Sequence, residues 1–188
     1  MLDPNTNLRI LKQRLLVHEA KSWVGFTEQG GNNKGQAVEY FQRAVDGVAV
    51  GEPWCAAFFQ FCCEQVDRTF DAIFGMSLNH RHSLYRSEHC LTVWNKTPMR
   101  LRIFEPEPGA IVIWQKGVSS SGHGGIVARL IEANVYKFET YEGNTSSNPH
   151  FERDGDGVWR KLRSGKKTGS FPTKGYLRPW DDLMLKDI

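Results

Sequence analysis

The hydrophobic pattern of the chain changes after EPEPG (residues 105–109), and that change constrains the fold more than any other feature. Downstream come short runs rich in β-branched and aromatic residues: AIVIW, GGIVARLI, VYKFETYEG, GVWRKLR and GYLRPW. Gly, Asn, Ser and Asp separate them, the signature of consecutive strands. Upstream, apolar residues recur at helical spacing. Leu8, Leu11, Leu15, Ala20 and Trp23 fall near one face of a helix that Gly25 would stop. After the polar loop EQGGNNKG, Val38, Phe41 and Val45 mark a second helix ending near Gly47. A third runs from about Pro53 to Val66, and a weaker fourth through HSLYRSEHCLTVW, with Leu84, Leu91 and Trp94 inward. Helices first and strands second predict an α+β fold, N-terminal helices packed on a C-terminal antiparallel sheet.

A chain of 188 residues fits one domain over 1–188 and buries a sizeable core without staples. At 40% hydrophobic and 24% charged it is not a mainly disordered chain. A net charge of +3 is too mild to argue for nucleic acid, yet it does not oppose an anionic surface such as a bacterial wall. No apolar run approaches the roughly 18–20 residues of a membrane span. Arg9, Lys12 and Arg14 interrupt any secretory signal, so a protein acting outside the cytoplasm would need another route. Four cysteines, two of them adjacent (Cys62 and Cys63), fit free thiols in a reducing compartment better than a disulfide scaffold.

Cys55 lies in GEPWCAAFFQFCC. Pro53 is favoured in a first helical turn, where its missing N–H costs nothing. That places Cys55 at a helix N-terminus, where unpaired N–H groups and the helix dipole favour the reactive thiolate. Ala56 and Ala57 keep the helix start slim, and its N–H groups suit a developing oxyanion. The plainer reading makes Cys55 a small buried core residue, as it makes Cys62 and Cys63 two turns on. A cysteine nucleophile needs a base and an orienting group. His123, in SSSGHGGIVARLI, opens a predicted strand among glycines that leave its ring accessible. Glu142 and Asn144, in YEGNTSS, are two apart at the end of the next strand and would point to one side, toward His123 if the strands pair. Ordinary turn residues explain the same pair. Trp54, beside the nucleophile, with Tyr141 and Trp159, offers flat rings for a substrate cleft.

PWCAAF at a helix start, G-H-x-G-I-V at a strand start and E-G-N at the next strand end resemble the CHAP domains, cysteine, histidine-dependent amidohydrolases/peptidases. The resemblance covers about residues 23–180, with 1–22 an additional N-terminal helix. It implies a papain-like α+β enzyme with Cys55 as nucleophile, His123 as base, Glu142 orienting His123 and Asn144 as a second polar partner. The implied substrate is bacterial peptidoglycan, cut as an N-acetylmuramoyl-L-alanine amidase or a peptide-crosslink endopeptidase, by a monomer without cofactor. Two departures stand out. The segment before Cys55 offers only Asp46 and Glu52, too few for the calcium loop of some phage members. No appended wall-binding module is expected either, so substrate affinity would come from the cleft itself or from a delivering partner. A phage lysin or an injected antibacterial effector fits, the latter with an immunity protein over its cleft. The alternatives are a non-catalytic wall-binding module, or a thiol amidase acting on a non-wall peptide conjugate.

Other clusters have plain readings. His80, His82, His89 and Cys90 match no closed zinc spacing and read as a solvated helix face. DGDGVW lacks the closing glutamate of a calcium loop and reads as a turn. RKLRSGKK, residues 160–167, reads as a solvated strand end, or as a contact for an anionic wall polymer. Gly30, Gly31 and Asn32 form a turn that could border the site.

Overall fold

Burial of two stripes, one of period 3.6 and one of period 2, organises the computed structural model, which describes residues 7–75, 81–132, 137–148, 155–165 and 171–182. Helix α1 spans Leu8–Ser22, with Asn7 Oδ1 capping it by accepting the Ile10 N–H. Its buried stripe is Leu8, Lys12, Leu16 and Ala20, at four-residue steps, while the expected Leu11 and Leu15 are only half-buried. The shift comes from Lys12. Its Nζ lies 2.9 Å from Asp67 Oδ1, which also accepts the Trp180 indole N–H at 2.7 Å. Asp67 Oδ2 takes the His82 backbone N–H at 2.8 Å. A charge so paired can occupy a core position that patterning reserves for apolar residues.

Helix α2, Gln36–Asp46, buries Val38, Phe41 and Val45 as expected and ends on Gly47 in the left-handed conformation. Helix α3 spans Cys55–Phe74, two turns past the expected end at Val66. Val66 and Phe70 continue its apolar stripe, and Lys12 neutralises the intervening Asp67. The fourth helix is shorter than expected: α4 is Cys90–Lys96, and residues 82–87 form no helix. There the Gln60 side chain bonds the Ser87 backbone, donating to its carbonyl at 2.8 Å and accepting its N–H at 3.2 Å. The loop thereby gains the partners a helix would have supplied.

All five expected strand segments form. β1 is Arg102–Ile103, β2 Ile111–Gln115, β3 Gly122–Glu132, β4 Lys137–Thr145, β5 Gly157–Ser164 and β6 Thr173–Leu177. They make one antiparallel six-stranded sheet in the order β1-β6-β2-β3-β4-β5, so the fold is α+β. Ile111, Ile113, Ile126, Tyr141 and Val158 join the main core with the helices. Val112, Trp114, Val127, Phe138 and Tyr176 form a smaller cluster of their own. Two glycines let α3 approach the sheet. A Cβ on Gly143 would stand 2.6 Å from Phe58 Cβ, and one on Gly124 2.8 Å from Phe59 Cε1. Among the described residues no helix is long and apolar enough to cross a membrane.

Candidate active site

Cys55 is the first residue of α3, with Trp54 at the N-cap and Pro53 just outside the helix rather than in its first turn. Trp54 supplies no side-chain cap, which leaves the first N–H groups directed at the thiol rather than at a capping oxygen. The Ala56 N–H is among the groups that lower the proton affinity of the Cys55 sulfur. His123, second residue of β3, is buried and sits close enough to Cys55 for each to shift the other's proton affinity. Its Nε2 lies 3.0 Å from Glu142 Oε2 on β4, so proton exchange with the thiol would fall to Nδ1. The structure thus brings together Cys55, His123 and Glu142 from three separate elements.

Glu142 is completely buried and heavily bonded. Arg163 on β5 donates to both its oxygens, Nε to Oε1 at 2.8 Å and Nη2 to Oε2 at 2.7 Å. The Thr140 hydroxyl donates to Oε1 at 2.5 Å. Gly125 makes room for this carboxylate, because a Cβ there would stand 2.6 Å from Glu142 Cγ. The Trp114 ring stacks on His123 at 5.9 Å and 18°, and the Arg163 guanidinium lies 5.8 Å from the same ring. Each member of the row is held by the next, which fixes the imidazole in position and tautomer.

The protonation states follow. The Cys90 thiol first, then His123 and the Ala56 N–H, hold Cys55 well below the usual thiol range against the opposing effect of burial. Burial works against an imidazolium at His123, but bonds and charges from Cys55 and then Glu142 raise it to about 9. Burial likewise opposes the Glu142 carboxylate, yet Arg163 and then His123 bring it down to about 2. These directions favour a thiolate, an imidazolium and a carboxylate in turn along the row, with charges alternating. By contrast burial drives Cys62 and Cys63 well above their usual value, which leaves them inert core thiols.

A cleft of about 210 Å³ opens in front of Cys55. Glu88, His89 and Cys90 line one wall, and Ser120, Ser121 and Gly122, at the end of the β2–β3 hairpin, the other. Past His89 and Ser120 lies a second hollow of about 490 Å³, lined in part by Thr92, Asn95 and Gln115. Polar surface predominates in the second hollow, while the first is lined about equally by polar and apolar groups.

Several expectations need correction. Trp54 does not wall the cleft: it is fully buried against Phe41 and Phe58, and its indole N–H donates to Glu28 Oε1 at 2.7 Å. Tyr141 faces the helices, because strand alternation sends it opposite to Glu142, and it borders a separate groove with Val17, Lys21 and Arg160. Trp159 is half-buried, with its indole 3.4 Å from Asp156 Oδ1, and takes no part in lining the cleft. Asn144 does not share a side with Glu142, since its backbone turns to a φ of 53° where the β4–β5 register slips. In the amide orientation that satisfies both atoms, Asn144 Oδ1 accepts the Trp54 N–H at 3.2 Å and Nδ2 donates to Gly155 O at 2.8 Å. It therefore anchors the entry to α3 rather than touching His123.

The polar loop before α2 does not line this cleft either; its Glu28 braces Trp54 from behind. Asp46 and Glu52 each accept a backbone N–H inside their own loop, from Val48 and Val50. His82 and His89 share no helix, and His80 lies outside the described residues. Among the described residues no three His, Cys, Asp or Glu side chains converge as metal ligands. In RKLRSGKK, Lys161 and Arg163 are buried rather than solvated, and residues 166 and 167 lie outside the described residues. Two residues of the site escape sequence reasoning, Arg163 and Cys90. Cys90 opens α4 with its Sγ 3.5 Å from Cys55 Sγ. Compared with known protein families, curated proteins and solved structures, the chain matches none.

Proposed function

We propose that this chain hydrolyses amide bonds with Cys55 as nucleophile, in the manner of the papain-like CHAP domains, and that its substrate is the peptide portion of bacterial peptidoglycan. The observation that carries the reading is His123, 3.0 Å from the buried Glu142 carboxylate and beside the Cys55 thiol at the start of α3, each shifting the other's proton affinity. In the resting ion pair the thiolate attacks the amide carbonyl, and the tetrahedral oxyanion forms against the N–H groups that open α3. His123 gives its Nδ1 proton to the leaving amine, which departs and leaves an acyl-thiol on Cys55. The neutral imidazole then removes a proton from water, the hydroxide attacks the thioester, and the acid product leaves with the ion pair restored. Glu142 keeps Nε2 protonated throughout and steadies the charge that returns to the ring at each cycle.

The substrate class rests on the resemblance of PWCAAF, GHGGIV and EGN, and the polar hollow beyond the cleft suits a hydrophilic peptide. Action on the wall implies a site of action beyond the cytoplasmic membrane, reached by phage lysis or by injection. An injected form would be matched by an immunity protein covering the cleft. The test is incubation with purified peptidoglycan of several wall types, followed by mass spectrometry of the soluble products. Fragments with new amine and carboxyl ends are expected from the wild type and none from a folded Cys55→Ala variant. The ends identify the bond, muramoyl–alanine or crosslink. Undiminished turnover in Cys55→Ala would sink the proposal. Rapid alkylation of Cys55 without released fragments would move the substrate to a non-wall conjugate.

A further inference from the structure

The cleft holds a second sulfur, which takes no covalent part in the hydrolytic cycle. Cys90 Sγ lies 3.5 Å from Cys55 Sγ, and each cysteine begins a helix, α3 or α4. Both are otherwise nearly sealed, 7% and 3% exposed, and both line the same cleft. We propose that Cys55 and Cys90 are a modification site, a thiol pair that a small peroxide converts into an intramolecular disulfide. The inference rests on the reading of Cys55 as a reactive thiolate.

The spacing favours this outcome over harmless packing. A disulfide needs its sulfurs at about 2.05 Å, so closure asks for roughly 1.5 Å of combined movement. Both side chains leave from the first residue of a helix, beside a non-helical N-cap that can absorb small rotations. Cys62 and Cys63 have no comparable route: both are fully buried and neither lines the cleft. The cleft, about 210 Å³, admits a hydroperoxide to Cys55.

The chemistry balances in two steps. The Cys55 thiolate attacks the terminal oxygen of ROOH; an S–O bond forms, the O–O bond breaks, and the sulfur loses two electrons to become a sulfenic acid. The departing RO⁻ takes the proton of the His123 imidazolium and leaves as ROH. Cys90 then attacks the sulfenic sulfur; the S–S bond forms, the S–O bond breaks, and the hydroxide leaves as water with the Cys90 proton. The sum is two thiols and one peroxide giving a disulfide, an alcohol and water. With the nucleophile tied up, hydrolysis stops until a dithiol reduces the bond. Cys90 also protects Cys55 from irreversible oxidation to the sulfinic acid.

The experiment treats the reduced full chain with stoichiometric hydrogen peroxide and reads intact mass, thiol count and a non-reducing peptide map. Expected are the loss of two hydrogens, two thiols remaining of four, and a Cys55–Cys90 cross-linked peptide that dithiothreitol reverses. In Cys90→Ser, a near-isosteric change checked for folding by circular dichroism, Cys55 should instead accumulate sulfenic acid trappable by dimedone, and then sulfinic acid. A wild type that gains oxygen at Cys55 while Cys90 stays a thiol overturns the proposal. So does a cross-link through Cys62 or Cys63, or no reaction at Cys55. These readouts need no substrate, so a failed wall assay and a failed disulfide are separate results.

Discussion

Glu142 is the residue on which the site turns. A carboxylate with no exposed surface is stable only because Arg163 grips both oxygens while Thr140 and His123 take the remaining bonding positions. The pH behaviour follows from the shifts. His123, raised to about 9, stabilises the fold fully below its ordinary value of 6.5 and progressively less as pH climbs through 9. Glu142, lowered to about 2, contributes fully above 4.5 and is lost as pH falls toward 2. Hydrolysis needs the imidazolium, so kcat/KM should hold through neutrality and fall on an alkaline limb near pH 9. Glu142→Gln should move that limb to lower pH and cut kcat/KM by about a hundredfold or more; an unchanged limb would mean Glu142 does not set the proton affinity of His123. At this scale the sequence was partly legible. Cys55, His123 and Glu142 stand out because glycines and a helix start surround them. Arg163 does not, since RKLRSGKK looks like a solvated run and only pairing across β4 and β5 reveals which cations turn inward. Cys90 is hidden for the same reason: its nearest chemical neighbour is 35 residues away.

Among the elements, α3 matters most because it carries Cys55 to the ends of β3 and β4. Gly143 sets that distance. Gly143→Ala would press a methyl onto Phe58 and the Trp54 ring, each already within 3 Å of the added carbon. A loss of about 1–3 kcal/mol in denaturant unfolding is expected, with a fall in activity larger than stability alone explains. A variant as active and stable as wild type would show that the helix seat is slack. The strands were readable from their bounding turn residues, and α2 from Val38, Phe41 and Val45. The length of α3 was not, because Asp67 looks like the end of an apolar stripe until Lys12 is seen beside it. Nor was the loss of helix before α4, which depends on Gln60 reaching across to Ser87.

Over the whole molecule, Lys12 and Asp67 join α1 to α3, while Trp180 and His82 add bonds from the chain's end and from the loop before α4. Four distant segments therefore share one buried carboxylate. Lys12→Ala leaves that charge uncompensated, and about 3–5 kcal/mol of unfolding free energy should disappear, read by urea or thermal denaturation. A change under about 1 kcal/mol would mean that water reaches Asp67.

The strand order carries one more consequence, for the way the fold is reached. β2 to β5 follow one another in space as in sequence, so their pairings close short loops and form cheaply. β6 does not extend this meander; it slots between β1 and β2, matching Leu177 to both Arg102 and Ile111. That pairing carries the heaviest loop-closure entropy in the sheet. During synthesis a ribosome must deliver the last strand before β2 gains its second neighbour, so a nascent chain waits with an open sheet edge until β6 emerges.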